Sequence, residues 1–588
     1  MKLSQIQIEG FRNFKKATVN LDEKTLVIGA NDVGKTNLIY AIRLLLDKSL
    51  SEYDVEPKDC DFYAYDDVNE FTILLKFEEV TEDCVVAKMK GKISDNDELF
   101  ILYEGYRDKD TNAKSYKIFT GCALDKMEEV EERYYRKVLN VKYISSRRDF
   151  WGYIHKEKNN LLQIAKKNRT DELKAQDDTL YGEITQSLQN IDGKIPQLSY
   201  IADATKSINE ELEKLSIHHK SQNVVFDASS SNIENFINNV SIASKHKDKS
   251  LLIGGDGRLN QIYLSLWAAR NEISEENIQE VSLICIEEPE AHLHPHQQRK
   301  LAEYLNSTIN GQVILTSHSP QIASEFSPNS IVRLSDHKED GTTAASDGCS
   351  DIIDEAFNDF GYRMSIIPAE AFFADCVLLI EGQSEALFYK TLAKQLNIDL
   401  DRLNISILSS EGIGFSPFIK ILDALGIEWV LRTDNDIMKI PKKDEYRFAG
   451  VQRIISFLKQ SFDIDKKTEA ILKTNEPLLK GFNSNNPPRQ NRTAAQNIAD
   501  ELEGYGLFLA DKDLENDLYN SSIQDKLIKY FAAKNVSADE IVDEMQEHKA
   551  SNMYNYLRSN KDHLKDLGKD DIAKPLFSCK NIVEKMLK

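Results

Sequence analysis

The chain alternates between short apolar runs and stretches in which apolar residues recur every three or four positions. The N-terminal stretch MKLSQIQIEGFRNF alternates apolar and polar residues, which predicts a half-buried strand. KTLVI (24–28) predicts a fully buried strand, and NLIYAIRLLL (37–46) predicts an amphipathic helix that follows it. These patterns place the first part of the chain in the α/β class.

From residue 366 onward, predicted strands and helices alternate along the chain. The apolar run CVLLI (376–380) precedes an amphipathic helix, and the runs NISIL (404–408), IEWVL (427–431) and GLFL (506–509) come later. This alternation predicts a parallel sheet, and the functional side chains of such sheets gather at the carboxyl ends of the strands. The polar residues that follow these runs are therefore the first candidates for chemistry.

The run IEWVL continues into LRTDND, which places Asp434 and Asp436 two residues apart. Side chains at positions i and i+2 of an extended segment point to the same side, so both carboxylates face one place. Two such charges repel each other unless a cation or a proton lies between them. A solvated turn also favours Asp and Asn, so this pair alone leaves both interpretations open.

More acidic residues follow two other predicted strands. Glu381 ends the run CVLLI, and Glu385 lies four residues later in the first turn of a helix. Carboxylates placed there can reach one metal ion, although glutamate also favours helix N-termini because of the helix dipole. Asp513 and Glu515 follow the last strand, and Lys549 lies near the start of a later helix.

The segment GANDVGKTN (29–37) matches the pattern G-x-x-x-x-G-K-T and connects a strand to a helix, as a phosphate-binding loop requires. Its glycines let the backbone wrap phosphate groups, and its amides face the anion. Lys35 would contact the β- and γ-phosphates, and Thr36 would ligate Mg²⁺. A glycine turn before a helix is the structural alternative. The predicted nucleotide-binding residues of this loop are Gly29, Asn31, Gly34, Lys35, Thr36 and Asn37.

Two later strands supply the other expected parts of a nucleotide site. VSLICI ends in Glu287 and Glu288; the first acid can hold Mg²⁺ through water, and the second can orient the attacking water. GQVILTSHS places His318 just past a strand, where it could sense the γ-phosphate. The alternating histidines of HLHPH (292–296) suggest a metal site, but a loop of the nucleotide site is the better interpretation because they follow Glu288 and a proline interrupts them.

The composition limits the class of protein. No apolar stretch among the 588 residues approaches the about 20 that span a bilayer. The N-terminus has no signal-peptide core, and the seven cysteines contain no CxxC pair, which indicates a cytoplasmic protein. The net charge of −22 disfavours a nucleic-acid partner, although a local basic groove or a bound metal can outweigh it.

Several of these motifs resemble known families. GANDVGKTN, EEPEAHLHP and the opening IQIEGFRNF resemble the ABC-type ATPase heads of DNA-repair and chromosome-maintenance proteins, which implies a head-to-head dimer. The matching signature loop, IGGDGRLNQIYLSL (253–266), lacks the usual Ser-Gly-Gly form, which argues against rapid, tightly coupled ATP hydrolysis. EGxxE, DxD, DLE and a lysine then follow in the order of the Toprim nuclease domain of OLD-family proteins, so the resemblance covers nearly the whole chain.

The resemblance to the OLD family implies a DNA endonuclease that nicks or cuts duplex DNA by a two-metal hydrolysis, with ATP and Mg²⁺ bound at the head. All-oxygen ligands suit Mg²⁺ or Mn²⁺. The implied catalytic residues are Glu381, Asp434, Asp436, Glu515 and Lys549. The implied metal ligands are Glu381, Glu385, Asp434, Asp436, Asp513 and Glu515, with Thr36 at the nucleotide. Lys549 would stabilise charge in the transition state.

The resemblance also sets the expected domains and partners. The strings DLENDLY, EGQSE and TDND look especially like those of a nuclease subunit from an anti-phage defence system. This implies double-stranded DNA as substrate, a UvrD-like helicase subunit as partner and an assembly built as a dimer of dimers. The expected domains are the ATPase head (1–150 and 241–350), an inserted helical dimerisation region (151–240) and a Toprim nuclease domain (366–588).

Three other functions remain open from the sequence. An OLD nuclease that acts without a helicase partner is the nearest alternative. A topoisomerase or primase also carries a Toprim domain, but the chain shows neither a separate tyrosine-bearing cleavage domain nor a zinc module. An ATP-driven DNA repair clamp would leave the C-terminal acids structural, and the complete set of three acidic motifs argues against it.

Overall fold

The computed structural model describes residues 1–586 except 65, 67, 147–149, 216–232, 241, 247–248, 252–254, 275–279, 308, 338–339, 351–368 and 413. The chain divides into two compact units. The first unit comprises Met1–Ser145, Glu280–Glu290 and Pro295–Lys588, and the second comprises Ser146–Gln279 and Ala291–His294.

A twelve-stranded sheet forms the N-terminal half of the first unit. From one edge to the other its strands are Met127–Glu129, Lys114–Gly121, Leu99–Arg107, Glu70–Glu78, Lys2–Phe11, Phe14–Asn20, Gly341–Ala344, Ile331–His337, Lys24–Ile28, Val313–Thr316, Val281–Glu287 and Leu139–Ile144. The last five strands run parallel, whereas the others pair antiparallel. The predicted nucleotide-site segments therefore lie side by side in the parallel part.

The helix Lys35–Leu46 forms where the sequence predicts it, because its apolar positions Leu38, Ile42 and Leu45 are completely buried in the core beneath the sheet. The remaining helices of this half are Glu52–Val55, Asp83–Lys88, Pro295–Ser307 and Pro320–Ala323.

The C-terminal half of the first unit is built around a four-stranded parallel sheet, as the alternating pattern predicts. Its strands, in spatial order, are Ile405–Ser409, Cys376–Ile380, Glu428–Thr433 and Leu507–Leu509. A small antiparallel sheet adds Ile437–Lys439, Tyr446–Phe448 and Lys480–Phe482. The helices are Gln383–Gln395, Ser416–Ala424, Ala449–Ser461, Lys466–Asn475, Arg489–Leu502, Leu514–Tyr519, Gln524–Ala532, Ile541–Glu547, Lys549–Asn560 and Lys574–Met586.

The second unit is mainly helical. It contains Phe150–Lys167, Asp171–Asp192, Ser199–Leu215, Ile233–Asn239 and Asp256–Ser274, with a short hairpin of Ser244–His246 and Lys249–Leu251. It extends past residue 240, the boundary predicted from the sequence, to residue 279. The reason is packing, because Asp256–Ser274 lies against Phe150–Lys167 and the rings of Tyr153 and Tyr263 are 5.5 Å apart.

Among the described residues, no helix combines the length and the apolar character that crossing a membrane requires.

One buried arginine links the strands and helices of the C-terminal sheet. The side chain of Arg432 is 2% exposed and forms ion pairs with Glu385 and with Asp517, the latter at 2.7 Å. Glu385 lies in the first turn of the helix that follows the strand Cys376–Ile380. Asp517 lies in the helix that follows the strand Leu507–Leu509. The attraction within a buried ion pair offsets the free-energy cost of burying the two charges only while both partners are present.

We expect Arg432→Leu to destabilise the C-terminal half by about 3–5 kcal/mol, because Glu385 and Asp517 would keep buried charges without a partner. The measurement is urea unfolding followed by the fluorescence of Trp429, in a background with Trp151 and Trp267 replaced by phenylalanine.

Lys459→Leu is the control, because Lys459 pairs with Glu476 at the surface and its loss should cost less than about 1 kcal/mol. Equal losses of unfolding free energy in the two variants would show that the buried ion pairs of Arg432 contribute no more to stability than a surface ion pair does.

Candidate functional site

The predicted phosphate-binding loop lies between the strand Lys24–Ile28 and the helix Lys35–Leu46. Gly34 has φ of 108°, and a Cβ there would lie 2.3 Å from the side chain of Asn13, so only glycine fits. The Lys35 side chain is buried and its Nζ donates to the carbonyls of Gly29 at 3.1 Å and Ala30 at 2.7 Å. The loop thus curls around the lysine, which is the shape that this motif needs to surround phosphates.

A hydrogen-bonded cluster holds this loop in place. Asn37 donates to Asn13 Oδ1 at 2.7 Å and accepts from Arg12 at 2.9 Å, and Asn13 donates to the Val33 carbonyl at 2.8 Å. Asn37 therefore braces the loop through its side chain, while Asn31 and Thr36 are exposed. The roles of Arg12 and Asn13 were missed from the sequence, although both lie in the IQIEGFRNF motif.

His318 follows the strand Val313–Thr316, which neighbours the loop's strand, and the acidic residues lie at the end of the next strand, Val281–Glu287. Glu287 ends its strand opposite Thr316 and accepts a hydrogen bond from the Tyr143 hydroxyl at 3.1 Å. His318 Nε2 lies 3.9 Å from Glu288 Oε1, and burial lowers the pKa of this histidine. The parallel sheet thus brings all three predicted residues to the edge that carries the loop.

Glu290 is a further member of this site that sequence reasoning missed. It accepts hydrogen bonds from the Ser317 hydroxyl at 2.6 Å and from the His318 amide at 2.9 Å. Burial raises the pKa of Glu290. The only sequence signal was its place in EEPEAHLHP, since neither partner is near it in the chain.

Electrostatically, one lysine faces several carboxylates. Burial lowers the pKa of Lys35 to about 8, and the charges of Glu288, Asp32 and Glu290 act in the opposite direction. This excess of carboxylates over cations fits a nucleotide that carries a divalent cation with it.

The second predicted site lies at the carboxyl ends of the C-terminal parallel strands. Glu381 follows the strand Cys376–Ile380, and Asp434 follows the adjacent strand Glu428–Thr433. The Asp434 amide donates to Glu381 Oε1 at 2.9 Å, so the two strand ends are in direct contact. The sequence correctly predicts this meeting point, because parallel neighbours end at the same edge.

Arg453, which the sequence analysis did not identify, bridges two of the predicted acids. Its guanidinium donates to Glu381 Oε1 at 2.7 Å and to Asp436 Oδ2 at 2.9 Å. Its helix, Ala449–Ser461, reaches the aspartates because residue 450 is glycine: a Cβ at Gly450 would lie 2.4 Å from the Asp434 carbonyl. One arginine in an amphipathic helix gives no local signal of this role.

Asp434 is a strongly perturbed acid of this site. Burial, together with the charges of Glu381 and Glu385, raises its pKa to about 8, against the opposing charges of Arg432 and Lys549. Its Oδ1 is buried and accepts no hydrogen bond from the described residues, and the nearest guanidinium, that of Arg432, is 4.0 Å away. Such an oxygen is costly unless a cation or proton compensates it.

Glu515 shows the same lack of hydrogen bonds. Its side chain is 1% exposed, and within the described chain neither oxygen accepts a well-formed hydrogen bond. The Lys549 ammonium lies 3.3 Å from Oε2 of Glu515. Lys549 is the first residue of the helix Lys549–Asn560. Burial alone would lower the pKa of Lys549, but Glu515 and Asp434 outweigh it and the pKa is raised.

Two predicted ligands are engaged elsewhere. Glu385 Oε2 accepts from the amides of Glu381 at 2.6 Å and Gly382 at 3.3 Å, while Oε1 pairs with Arg432. Asp513 caps the helix Leu514–Tyr519 by accepting from the Asn516 amide at 2.9 Å. Glu385 thus serves the fold, and its role as a metal ligand stays a prediction, as does that of Asp513.

The donor chemistry of this edge fits a divalent metal ion. In the described part of the chain, no three Asp, Glu, His or Cys side chains converge closely enough to hold a metal without rearrangement. However, the buried oxygens of Asp434 and Glu515 lack hydrogen-bond donors, and carboxylate oxygens are the ligands that hard divalent ions prefer.

An open cleft of ≈ 790 Å³ lies directly over these acids. Four predicted residues line it, namely Asp434, Asp436, Asp513 and Lys549. The cleft is large enough to admit part of a polymeric substrate, which would meet Asp434, Asp436 and Asp513 at its wall.

Comparison with known proteins agrees with this architecture. Residues 1–323 match the AAA ATPase domain family, and residues 372–436 match the overcoming lysogenization defect protein-like TOPRIM domain. Endonuclease GajA of Bacillus cereus (strain VD045) is 26% identical, over 89% of this chain and 90% of its own. The OLD nuclease of Thermus scotoductus (strain ATCC 700910 / SA-01) is 24% identical, over 75% of this chain and 83% of its own.

Among solved structures, the SMC head bound to the C-winged helix domain of ScpA is 13% identical to this chain, with a TM-score of 0.35. The match covers 58% of this chain and 97% of the solved one. The two matched domains imply the use of a nucleotide and of a divalent metal in general. The match over residues 1–323 spans more than half of the 588 residues. The chain therefore belongs to the AAA ATPase domain family and carries an OLD-like TOPRIM domain after its ATPase domain.

Proposed function

We propose that this protein is a metal-dependent DNA endonuclease whose activity is controlled by the nucleotide bound at its ATPase domain. The observation that carries the proposal is the meeting of Glu381, Asp434 and Asp436 at one sheet edge, beneath an open cleft that Lys549 also lines. The names of the relatives, endonuclease GajA and OLD nuclease, support the same reaction class.

The acids of the cleft would hold two Mg²⁺ or Mn²⁺ ions. The chemistry that such ions supply when bound is a water of lowered pKa and neutralisation of charge on the phosphate. Among the protein groups, Arg453 keeps Glu381 and Asp436 oriented, and Lys549 offers a positive charge beside Glu515. The predicted ligands are Glu381, Glu385, Asp434, Asp436, Asp513 and Glu515.

Asp434 must lose a proton before it can act as a ligand. A carboxyl group with a pKa of about 8 is mostly protonated at pH 7. A divalent cation nearby reverses the effect of burial and of Glu381, because it stabilises the charged form. Binding of the metal and ionisation of this aspartate are therefore coupled.

Asp434→Asn should lower the rate of DNA cutting at least about a hundredfold, because the amide keeps the shape of the side chain but loses its charge and its affinity for a hard cation. The measurement is conversion of supercoiled plasmid to nicked or linear product in Mg²⁺ or Mn²⁺.

Asp444→Asn is the matched control, since Asp444 is an exposed aspartate of the same domain that pairs only with Lys439. Wild-type rates in the Asp434 variant would contradict the proposed site. Absence of cutting by the wild-type protein under all these conditions would instead favour the ATP-driven clamp.

In the ATPase domain, we infer that bound ATP with Mg²⁺ restrains cutting and that loss of nucleotide releases it. The nucleotide would contact Lys35 and Thr36, and Glu287, Glu288 and His318 would face its γ-phosphate side. The signature loop predicted from the sequence lacks the usual Ser-Gly-Gly form, which fits a site that senses ATP more than it hydrolyses it. Residues 253–254 of that loop lie outside the described residues.

Lys35→Ala should abolish ATP binding and leave a nuclease that cuts at the same rate with and without ATP, because the charge that meets the phosphates is gone. Isothermal titration with ATP and the plasmid assay measure the two effects. Lys48→Ala, which removes a surface lysine paired with Glu280, is the control. Loss of cutting in a folded Lys35 variant would contradict inhibition by ATP.

We further infer that the protein forms a homodimer through the helical unit. Helix Asp171–Asp192 exposes four large apolar side chains at spacings of seven, four and seven residues, namely Leu173, Leu180, Ile184 and Ile191. This heptad-like spacing is typical of a helix that packs against another helix.

Leu180→Glu combined with Ile184→Glu should convert the dimer to a monomer, because charges would replace the centre of the apolar stripe. Size-exclusion chromatography with light scattering measures the mass. Gln186→Glu, on an exposed face of the same helix, should leave the mass unchanged. An unchanged dimer in the double variant would place the interface elsewhere.

The wider assembly is proposed from the resemblance of the DLENDLY, EGQSE and TDND motifs to a nuclease subunit of an anti-phage defence system. We propose a dimer of dimers that acts on double-stranded DNA, with a UvrD-like helicase subunit as partner, in anti-phage defence. The seven cysteines are all free thiols, which suits the cytoplasm as the place of action.

A further inference from the structure

An inserted segment, residues 437–506, separates the strand Glu428–Thr433 from the strand Leu507–Leu509 in sequence. It contains the small antiparallel sheet and three helices, of which Arg489–Leu502 is the last. This helix and the preceding loop 485–487 form one wall of the cleft over the acids. Lys549 and Gln546, which come from outside the inserted segment, also line the cleft.

The cations around the acids differ in whether they have a carboxylate partner. Arg432, Arg453 and Lys549 all form ion pairs with the acids of the site. Arg492 and Lys512 also line the cleft, but neither lies within ion-pair distance of a carboxylate of the described chain. In a protein with a net charge of −22, an arginine beside an acidic cleft without such a partner is available to an anion from outside.

The inserted wall is shaped to admit an extended chain. Arg492, Ala495, Gln496 and Ala499 face the cleft at spacings that place them on one side of their helix. Ala499, which is half-buried and has a short side chain, leaves room for a chain to approach the helix. The loop places Asn486 at the cleft and is ordered by the Ser484 hydroxyl, which donates to the Asn486 carbonyl at 2.9 Å and accepts from the Asn486 amide at 3.3 Å.

We propose that this wall binds the sugar–phosphate backbone of a DNA strand next to the phosphate that is cut, with Arg492 as its principal phosphate contact. The inference rests on the proposed nuclease function and assigns it a strand-positioning subsite. A neighbouring phosphate needs a cation of its own, because the acids of the cleft repel it and the ions they hold serve the reacting phosphate. The guanidinium of Arg492 is suited to this task because it can bind two phosphate oxygens at once.

The test is the salt dependence of DNA binding, measured by fluorescence anisotropy with a labelled duplex. Ca²⁺ replaces Mg²⁺, and a gel confirms that the duplex stays intact. Arg492→Ala should weaken binding about tenfold at low salt and reduce the slope of log K against log salt by about 0.9, the value for one lost phosphate contact. Arg492→Lys should keep the slope, because it keeps the charge.

Arg489→Ala is the matched control, because Arg489 is exposed one turn earlier on the same helix and does not line the cleft. It should bind as the wild-type protein does. Equal losses in both variants would mean that any surface cation suffices, which overturns the subsite. Unchanged binding by Arg492→Ala, while the wild-type protein binds and cuts, would also overturn it and leave the nuclease intact. Neither binding nor cutting by the wild-type protein would overturn the nuclease proposal and this inference together.

Discussion

Repulsion between carboxylates is the constraint on which the C-terminal half depends. Five acids lie at or near one edge of its sheet, namely Glu381, Glu385, Asp434, Asp436 and Glu515. Charges of one sign in a poorly solvated place destabilise the fold unless cations or protons compensate them. Arg432 pairs with Glu385, Arg453 with Glu381 and Asp436, and Lys549 with Glu515. The buried Oδ1 of Asp434 accepts no hydrogen bond from the described residues, and it is the oxygen that a divalent ion can use.

The two sites bind ligands of opposite charge with the same arrangement of strand, loop and helix. In both, parallel strands end at a common edge and a helix begins just beyond it. The ATPase domain places one buried lysine among carboxylates, so it can bind an anion that carries a divalent cation, such as a nucleotide with Mg²⁺. The C-terminal sheet edge has several carboxylates and one lysine, so it can bind a divalent cation that then contacts a phosphate. The order of strand, loop and helix fixes the geometry, and the charge at the strand ends decides the ligand.

The parts that were predictable from the sequence are those that local patterns determine. The phosphate-binding loop and the pairing of Glu381 with Asp434 follow from apolar runs and from the parallel sheet that they predict. Arg453 and Asn13 were missed because their roles depend on partners distant in the chain, which no local pattern encodes. The helical unit extends beyond residue 240 for a related reason, since helix packing, which composition does not reveal, places the later helix in the second unit.

The inserted segment has a further consequence for how such an enzyme can change. It leaves the sheet after the strand Glu428–Thr433 and returns at Leu507–Leu509, and these two strands are hydrogen-bonded neighbours. Since its ends are already held together by the sheet, doubling its length would add only about 0.6 kcal/mol of loop-closure free energy. The part of the segment that follows the Arg453 helix, residues 462–502, can therefore be lengthened, shortened or exchanged while Arg453 keeps Glu381 and Asp436 in place. The fold thus separates the choice of DNA from the chemistry performed on it.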